Sequence, residues 1–194
     1  MKHLLIALFA TLVCASAAAQ PFELQPNDVI ALTGGSNMER TRFNGWLHTH
    51  LVASKPELNL TVRNFGWEGD TVFEQWRDDG NIEMLDERRR EAERRIQQET
   101  GSNSWRQQRD WRQQLQEAGA TVVIAQFGQM ESLKGEAGLP AFIAAYEKLI
   151  GEFADGGRRV VLVSPVPFEG DNRALLTYSQ AVKALAARLG AHFI

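Results

Sequence analysis

Cysteine is almost absent from this 194-residue chain. The single cysteine, Cys14, lies in an apolar stretch near the N-terminus, so residues 20–194 carry no thiol. This absence excludes disulfides, thiolate metal sites and a cysteine nucleophile from those residues. Attachment of a lipid at Cys14 is an alternative that the bulky Val13 before the cysteine disfavours.

An excess of charge of either sign is also missing. The 21 Lys and Arg residues nearly balance the 24 Asp and Glu residues, and the formal net charge is -3. Since the basic residues are interspersed with acidic ones, no surface of the chain is expected to attract a phosphate backbone. We therefore exclude nucleic acid as a partner. Apolar residues make up 44% of the chain, which is enough for one domain with a substantial core.

The N-terminal apolar run is too short for a permanent membrane span. Lys2 and His3 precede apolar residues 4–15 and small residues 16–19, whereas a spanning helix needs roughly 18 to 20 apolar residues. The pattern is typical of a secretory signal peptide. The sequence therefore predicts a signal peptide over 1–19, a domain over 20–194 and a periplasmic or secreted location. No heptad pattern predicts an oligomeric state.

Strand-like and helix-like segments alternate along the rest of the chain, and this alternation predicts a parallel sheet. The pattern would continue with a loop and a covering helix after the last strand. We therefore expect the C-terminal part of the domain to lie beyond Ile194. The predicted strands are 29–32, 58–62, 121–125, 159–164 and a fifth starting at 191, and the predicted helices are 37–54, 139–154 and 172–189. Residues 46, 47, 50, 51 and 53 are expected to form the stripe that packs the first helix.

Residues 74–119 interrupt the alternation with a polar stretch rich in Arg and Glu, which predicts an inserted helical pair. Its second helix places Trp111, Leu115 and Ala118 on one face, and this face is expected to dock on the domain. Two further residues, Trp76 and Trp105, either pack locally or line the rim of a cleft for a sugar or acyl group.

Three glycine-centred segments follow predicted strands: residues 33–36 (TGGS), 64–70 (NFGWEGD) and 127–132 (FGQMES). The loops after parallel strands converge at one edge of a sheet, where ligand sites form. Ser36 in the first loop is a candidate nucleophile, which requires a general base and oxyanion donors. Alternatively, Ser36 caps a helix. A phosphate-binding loop is a third alternative, but the segment lacks the Gly-Lys-Ser/Thr ending.

Glycines permit tight turns and close approach of the backbone at these loops. Gly34 and Gly35 allow the turn before Ser36, and the N–H of Gly66 can approach a ligand without side-chain interference. Asn64 and Asp70 are expected to brace the second loop through hydrogen bonds from side chain to backbone.

The three segments resemble, in order and spacing, the SGNH/GDSL hydrolase family, and the resemblance covers most of residues 27–194. The third segment looks like a branch from large secreted bacterial proteins. The family's blocks carry Gly-Asp-Ser, a loop glycine, Gly-x-Asn-Asp and Asp-x-x-His. The resemblance implies a three-layer α/β/α sandwich with a parallel, flavodoxin-like sheet. It implies ester hydrolysis without a metal or organic cofactor.

Site roles also follow from the resemblance. Ser36 would be the nucleophile, and the backbone N–H groups of Ser36 and Gly66 would be oxyanion donors. Gln129 is a further candidate donor, and Gly128 would support the third loop.

Two substitutions depart from the family's pattern. Gly35 replaces an Asp that is mostly structural. Met130 stands where the family has an Asn whose amide completes the oxyanion hole, and a thioether cannot donate a hydrogen bond. Loss of one such donor costs about 2.7 to 4 kcal/mol in the transition state.

The third departure is the absence of an Asp-x-x-His motif from the chain. His3 belongs to the predicted signal peptide, His48 and His50 fall in the first predicted helix, and His192 falls in the last strand. Because the family's base follows the fifth strand, we expect the catalytic His and its Asp partner downstream of Ile194.

Two functions therefore remain open from the sequence. The first is a secreted esterase acting on a small-molecule or glycan ester through Ser36, with little turnover expected from residues 1–194 alone. The second is a non-catalytic domain of the same fold that binds carbohydrate or a partner protein, an alternative that Met130 favours.

Overall fold

One parallel sheet of five strands organises the part of the chain that the computed structural model describes, residues 22–73 and 111–194. The strand order β2-β1-β3-β4-β5 is flavodoxin-like, and the predicted fold class is confirmed. The strands are β1 (Val29–Gly34), β2 (Thr61–Asn64), β3 (Val122–Gln126), β4 (Arg159–Leu162) and β5 (His192–Phe193). The predicted signal peptide, Trp76, Trp105 and most of the predicted insertion lie outside the described residues.

Helices cover the sheet on two faces. Right-handed crossover connections explain the division. From β1 to β2 the chain steps across the sheet in one direction, and from β2 to β3, β4 and β5 it steps in the opposite direction, so the connecting helices lie on opposite faces. One face carries α1 (Ser36–Asn44) and α2 (Trp46–Ser54), and the other carries α3 (Trp111–Glu117), α4 (Leu139–Ala154) and α5 (Arg173–Leu189). No helix in the described ranges has the length and apolar character that crossing a membrane requires.

Alternate residues of the strands fill two apolar clusters, one on each face of the sheet. In β1, Ile30 and Leu32 pack toward α1 and α2, whereas Ala31 packs toward α4 and α5. Successive side chains of a strand point to opposite faces, so a strand covered on both sides is apolar throughout. This burial fixes the sheet on which the three glycine loops stand.

The helix predicted over 37–54 is two helices in the structure. Gly45 adopts a left-handed backbone conformation with φ 65° and separates α1 from α2. The change of direction alters the buried stripe, so Leu47 and Leu51 pack on the core while Trp46 is 67% exposed. His50, which was predicted in the stripe, stacks on the exposed Trp46 ring at a centroid distance of 6.2 Å.

Two further expectations on this side of the domain are corrected. Ala53 is exposed rather than buried. Leu58 belongs to a 3₁₀ helix, Pro56–Leu58, instead of starting the second strand. Pro56 accounts for the difference, because its fixed φ favours the first turn of a helix and it cannot donate to a sheet.

The docking face predicted for the second inserted helix agrees with the burial of α3. Trp111 and Leu115 are buried, and Ala118 is half-buried directly after the helix. The Trp111 ring meets the Phe153 ring of α4 edge-on, with the ring centroids 5.1 Å apart. This contact anchors the end of the long second connection against the face that carries α4.

An ion pair between the buried Asp28 and the half-buried Arg159 lies at the N-terminal edge of the sheet. Both carboxylate oxygens of Asp28 accept hydrogen bonds from Arg159 at 2.6 Å, and Oδ1 also accepts from the Thr121 hydroxyl at 2.7 Å. Burial would raise the pKa of Asp28, but hydrogen bonds from the Gln25 N–H, Arg159 and Thr121 outweigh it and lower that pKa. The ion pair and the Thr121 hydrogen bond together connect the residues that precede β1 and β3 to the first residue of β4.

Replacing Arg159 with methionine should lower the free energy of unfolding by about 2 kcal/mol at pH 7. Removing one partner of a fully buried pair costs about 3–5 kcal/mol, and here Asp28 keeps the Gln25 and Thr121 hydrogen bonds. Because the pKa of Asp28 is lower in the folded state, its interactions contribute their full stability above the unfolded-state pKa of about 3.9. This stability is lost as the pH falls through the folded-state pKa. Urea unfolding at several pH values should therefore show the difference from wild type shrinking below about pH 4. A difference independent of pH would contradict this account.

Candidate active site

The carboxyl ends of β1 and β3 bring the first and third glycine loops together, and the second loop closes against them. Ser36 and Asn37 share a small cavity of about 20 Å³ with Asp70, Gln129 and Met130. The sheet topology explains the convergence, because β1 lies between β2 and β3 and all three strands run in the same direction. Sequence-predicted site residues from all three loops therefore meet at one place.

Ser36 is the first residue of α1, and its hydroxyl faces the second loop. The Gly69 N–H donates a hydrogen bond to Ser36 Oγ at 3.0 Å. The N-cap position is occupied by Gly35, whose carbonyl accepts from the Glu39 N–H at 3.0 Å, and no side chain caps the helix. The alternative in which Ser36 caps the helix is therefore wrong.

Gly34 and Gly35 are required by the close approach of neighbouring backbone. Gly34 has φ 147°, and a Cβ added there would lie 2.3 Å from the Gln126 carbonyl oxygen. A Cβ added at Gly35 would lie 2.8 Å from the Asp70 carbonyl oxygen. Both distances are far below van der Waals contact, so any side chain here would push the first loop away from the other two.

Gly66 packs the second loop against α1. A Cβ added at Gly66 would lie 2.5 Å from the backbone nitrogen of Glu39. The N–H of Gly66 donates to Asn64 Oδ1 at 2.8 Å. The structure thus turns this N–H toward Asn64, whereas the N–H that reaches Ser36 belongs to Gly69.

The N–H group that contacts Ser36 Oγ belongs to Gly69, a residue that sequence reasoning missed, and not to Gly66, for which a donor role was predicted. Gly66 lies two residues after the end of β2, and this position drew attention to it. Gly69 lies at the end of a turn, with φ 72°, and the Asp70 N–H closes that turn by donating to the Trp67 carbonyl at 3.1 Å. A glycine before a buried aspartate was the available signal, but its approach to Ser36 depends on the tertiary fold.

Asn64 braces the second loop on α1. Its Nδ2 donates to the Met38 carbonyl at 2.9 Å and to the Thr41 hydroxyl oxygen at 2.8 Å, while its Oδ1 accepts from Gly66. One amide side chain therefore holds the end of β2, the second loop and the middle of α1 together. These bonds fix α1, and with it Ser36, relative to the second loop.

The buried carboxylate of Glu131 ties the third loop to the second. Oε1 accepts from the Val72 N–H at 2.8 Å, and Oε2 accepts from the Gly128 N–H at 2.9 Å. Burial raises the pKa of Glu131, and the hydrogen bonds from these N–H groups oppose that rise. Gly128 has φ 110°, a conformation that favours glycine, and so turns the third loop toward Ser36. Sequence reasoning placed Glu131 in the third segment but gave it no role.

A chain of amides connects α1 to the loop after β4. Asn37 Nδ2 donates to Gln129 Oε1 at 2.7 Å, and Gln129 Nε2 donates to the Val166 carbonyl at 2.7 Å. The nitrogen of Gln129, predicted as a candidate oxyanion donor, therefore faces Val166. Met130, at the position of the family's Asn, is 41% exposed at the cavity.

None of the histidines in the described ranges is hydrogen-bonded to Ser36. His48 and His50 are exposed on α2. His192 lies in the edge strand β5, with its ring 5.7 Å from the Phe22 ring, and β5 is three strands, or about 14 Å, from β1. Within the same ranges, no three His, Cys, Asp or Glu side chains are grouped as metal ligands.

No protein-family model matches the sequence, and no curated protein matches it at a significant level. Solved structures do match the fold. A catalytic mutant of Axe2, an acetylxylan esterase from Geobacillus stearothermophilus, has a TM-score of 0.61 and 15% identity over 89% of this chain and 78% of that chain. The psychrotrophic esterase EstA from Pseudoalteromonas sp. has a TM-score of 0.55 and 13% identity over 87% and 76%.

A putative GDSL-like lipase from Parabacteroides merdae gives a TM-score of 0.59 and 12% identity, over 90% of this chain and 80% of that chain. Identities this low establish the fold alone. The chain has the fold of the SGNH/GDSL hydrolases, and its structural neighbours are esterases and lipases of that type.

Proposed function

We propose that this chain forms most of a serine esterase of the SGNH type, in which Ser36 attacks the carbonyl carbon of a carboxylic ester. The observation that carries the proposal is the Gly69 N–H placed 3.0 Å from Ser36 Oγ at the first turn of α1. A nucleophile beside a fixed backbone donor is one part of the arrangement that acyl transfer requires, and the general base is the other. No metal or organic cofactor takes part in the proposed reaction.

Two backbone donors serve the developing oxyanion in this mechanism. The Ser36 N–H lies in the first turn of α1, where N–H groups have no acceptor within the helix and the helix dipole favours negative charge. The Gly69 N–H replaces Gly66 as the second donor. When Ser36 Oγ bonds to the carbonyl carbon, its proton passes to the general base and the carbonyl oxygen takes the negative charge beside these groups. Collapse expels the alcohol with that proton, and water then hydrolyses the acyl-enzyme.

The general base is supplied, in this proposal, by residues that follow Ile194. The described residues bring no histidine to Ser36. The last strand, β5, runs toward the edge of the sheet at which Ser36 lies. The Ile194 N–H donates to the Leu162 carbonyl at 2.9 Å, and its carbonyl accepts from the Ser164 N–H at 2.8 Å. Ile194 is thus held at the carboxyl end of β5, on the edge of the sheet where Ser36 lies.

Residues 1–19 act as a signal peptide for export of the domain formed by residues 20–194.

The proposed substrate is an ester of a small acyl group, with acylated carbohydrate as the preferred class. Acetylxylan esterases are among the solved structures that share the fold. The cavity at Ser36 is small, about 20 Å³. Its size favours an acetyl group over a long acyl chain.

A non-catalytic carbohydrate-binding or interaction module is the second candidate, and Met130 is the observation that favours it. A thioether in place of an amide removes one oxyanion donor. A protein that only binds its ligand has no need of that donor.

The full-length protein should hydrolyse p-nitrophenyl acetate at least tenfold faster than p-nitrophenyl octanoate, and it should release acetate from acetylated xylo-oligosaccharides. The small cavity at Ser36 is the reason for the preference. The same protein ending at Ile194 serves as a control and should be at least a thousandfold slower, because removal of the base leaves only binding and oxyanion stabilisation. A folded full-length protein that binds the oligosaccharide but releases no acetate and cleaves no aryl acetate would establish the binding module instead.

A further inference from the structure

Met130 leaves the cavity without the side-chain donor that an amide at this position would supply. Three residues with amide side chains line the same cavity. Gln126 turns its Nε2 to the Ser164 carbonyl at 3.0 Å, and the other two are Asn37 and Gln129. Either could supply an N–H to a substrate carbonyl only if its nitrogen, and not its oxygen, is held toward the cavity. The hydrogen bonds around these two residues decide the orientation of each.

The Val166 carbonyl sets the orientation of both amides. A backbone carbonyl only accepts hydrogen bonds, so Gln129 must present Nε2 to Val166, at 2.7 Å. Gln129 Oε1 then faces Asn37. Because an amide oxygen only accepts hydrogen bonds, Asn37 must supply the donor. Asn37 accordingly presents Nδ2 to Gln129, at 2.7 Å. The amide of Asn37 is thereby fixed with its nitrogen toward the third loop.

We propose that Asn37 Nδ2 is the third oxyanion donor of this site, in place of the amide that Met130 lacks, and that Gln129 is its positioning residue. The proposal rests on the proposed esterase function. An amide nitrogen carries two N–H groups, and the Gln129 oxygen takes one of them. The second N–H is the one assigned to the substrate carbonyl oxygen as negative charge develops on it.

Two features of the surroundings suit Asn37 to this role. Asn37 directly follows Ser36 in the first turn of α1, so the donor and the nucleophile are carried by the same rigid element. Both are half-buried. The Met130 side chain lines the same cavity and supplies no competing hydrogen-bond donor there.

The test uses the full-length protein with p-nitrophenyl acetate and compares three variants. Asn37→Leu keeps the number and branching of the side-chain heavy atoms but removes the donor, and it should lower kcat by about 10²- to 10³-fold while KM changes little. Adding Met130→Asn to Asn37→Leu places an amide on the third-loop side of the cavity, and it should restore kcat at least tenfold. Gln129→Met removes only the positioning bond and should lower kcat by about tenfold, again with little change in KM.

The rescue separates a catalytic donor from a structural residue, because a structural defect at Asn37 would not be repaired from the third loop. The proposal is overturned if Asn37→Leu retains kcat within threefold of wild type, if its loss lies in KM, or if Met130→Asn gives no rescue. In each of these outcomes, Ser36-dependent turnover by the wild-type protein would still support the esterase function.

A second measurement decides the matter if the wild-type protein shows no Ser36-dependent turnover, in which case the esterase function itself fails. Sodium acetate, whose carboxylate resembles the proposed product, is titrated into ¹⁵N-labelled protein. The side-chain amide signal of Asn37 is identified by its absence from the Asn37→Leu spectrum. A saturable shift of this signal, retained in Ser36→Ala, supports Asn37 as the donor of the site. A signal that does not move while backbone signals of residues 66–70 do would overturn the proposal.

Discussion

Ester hydrolysis by the full-length protein should fall about 10⁴-fold or more when Ser36 is replaced by alanine. The variant removes Ser36 Oγ, the atom proposed to bond covalently to the substrate, but leaves α1 and the Gly69 N–H in place. Gly35 and not Ser36 occupies the N-cap of α1, and the Ser36 side chain makes no capping bond. The expected loss therefore lies in the chemical step and not in the stability of the helix.

Initial rates with p-nitrophenyl acetate, measured beside the far-ultraviolet circular dichroism of both proteins, check this expectation. Ser54→Ala is the matched control, because Ser54 is exposed at the end of α2 and its hydroxyl donates to the Leu51 carbonyl of the same helix. It should retain the wild-type rate. A folded Ser36→Ala protein with more than a tenth of wild-type kcat would remove Ser36 from the mechanism.

Replacing Gly66 with alanine should lower the free energy of unfolding by about 4 kcal/mol or more, a size reserved for severe strain or lost packing. The new Cβ would lie 2.5 Å from the Glu39 nitrogen and 2.8 Å from its Cα. These are backbone atoms of α1, so no side-chain rotation relieves the clash. The second loop and α1 must separate, which breaks the bonds of Asn64 to Met38 and Thr41.

Guanidinium unfolding of Gly66→Ala and of a matched glycine variant tests this expectation. Gly151 is exposed within α4, and an added Cβ there meets nothing within 4 Å. Gly151→Ala should therefore raise the free energy of unfolding by about 0.5–1 kcal/mol, through better helix propensity and a less flexible unfolded chain. A loss below about 1 kcal/mol for Gly66→Ala would show that the second loop does not press on α1 in solution.

The site divides into residues that sequence reasoning located and contacts that it could not. Ser36 was found because a small polar residue followed a glycine pair at the end of an apolar run. Gly66 and Gly69 are both glycines of the second loop, and the sequence does not show which of their N–H groups reaches Ser36. Their N–H groups differ only in where the loop turns them, toward Asn64 or toward Ser36.

Long-range pairs account for most of what sequence reasoning missed. Glu131 acquires its role from Val72, which is 59 positions away, and Gln129 from Asn37, which is 92 positions away. No local pattern encodes such a pair, because each partner is chosen by which loops the sheet brings together. Gly45 is a local exception, since a glycine between two helical stretches was a signal for the break between α1 and α2.

The sequence by itself determined the parallel α/β architecture and the edge of the sheet at which the three loops meet. Apolar strands that alternate with amphipathic helices have few other ways to bury both faces, and parallel strands place their following loops on one side. Only the tertiary structure decided which N–H faces Ser36, which amide faces the cavity and which carboxylate joins the second loop to the third. Those choices depend on the loop conformations and on approaches of a few ångströms between residues distant in the chain, and neither periodicity nor composition specifies such distances.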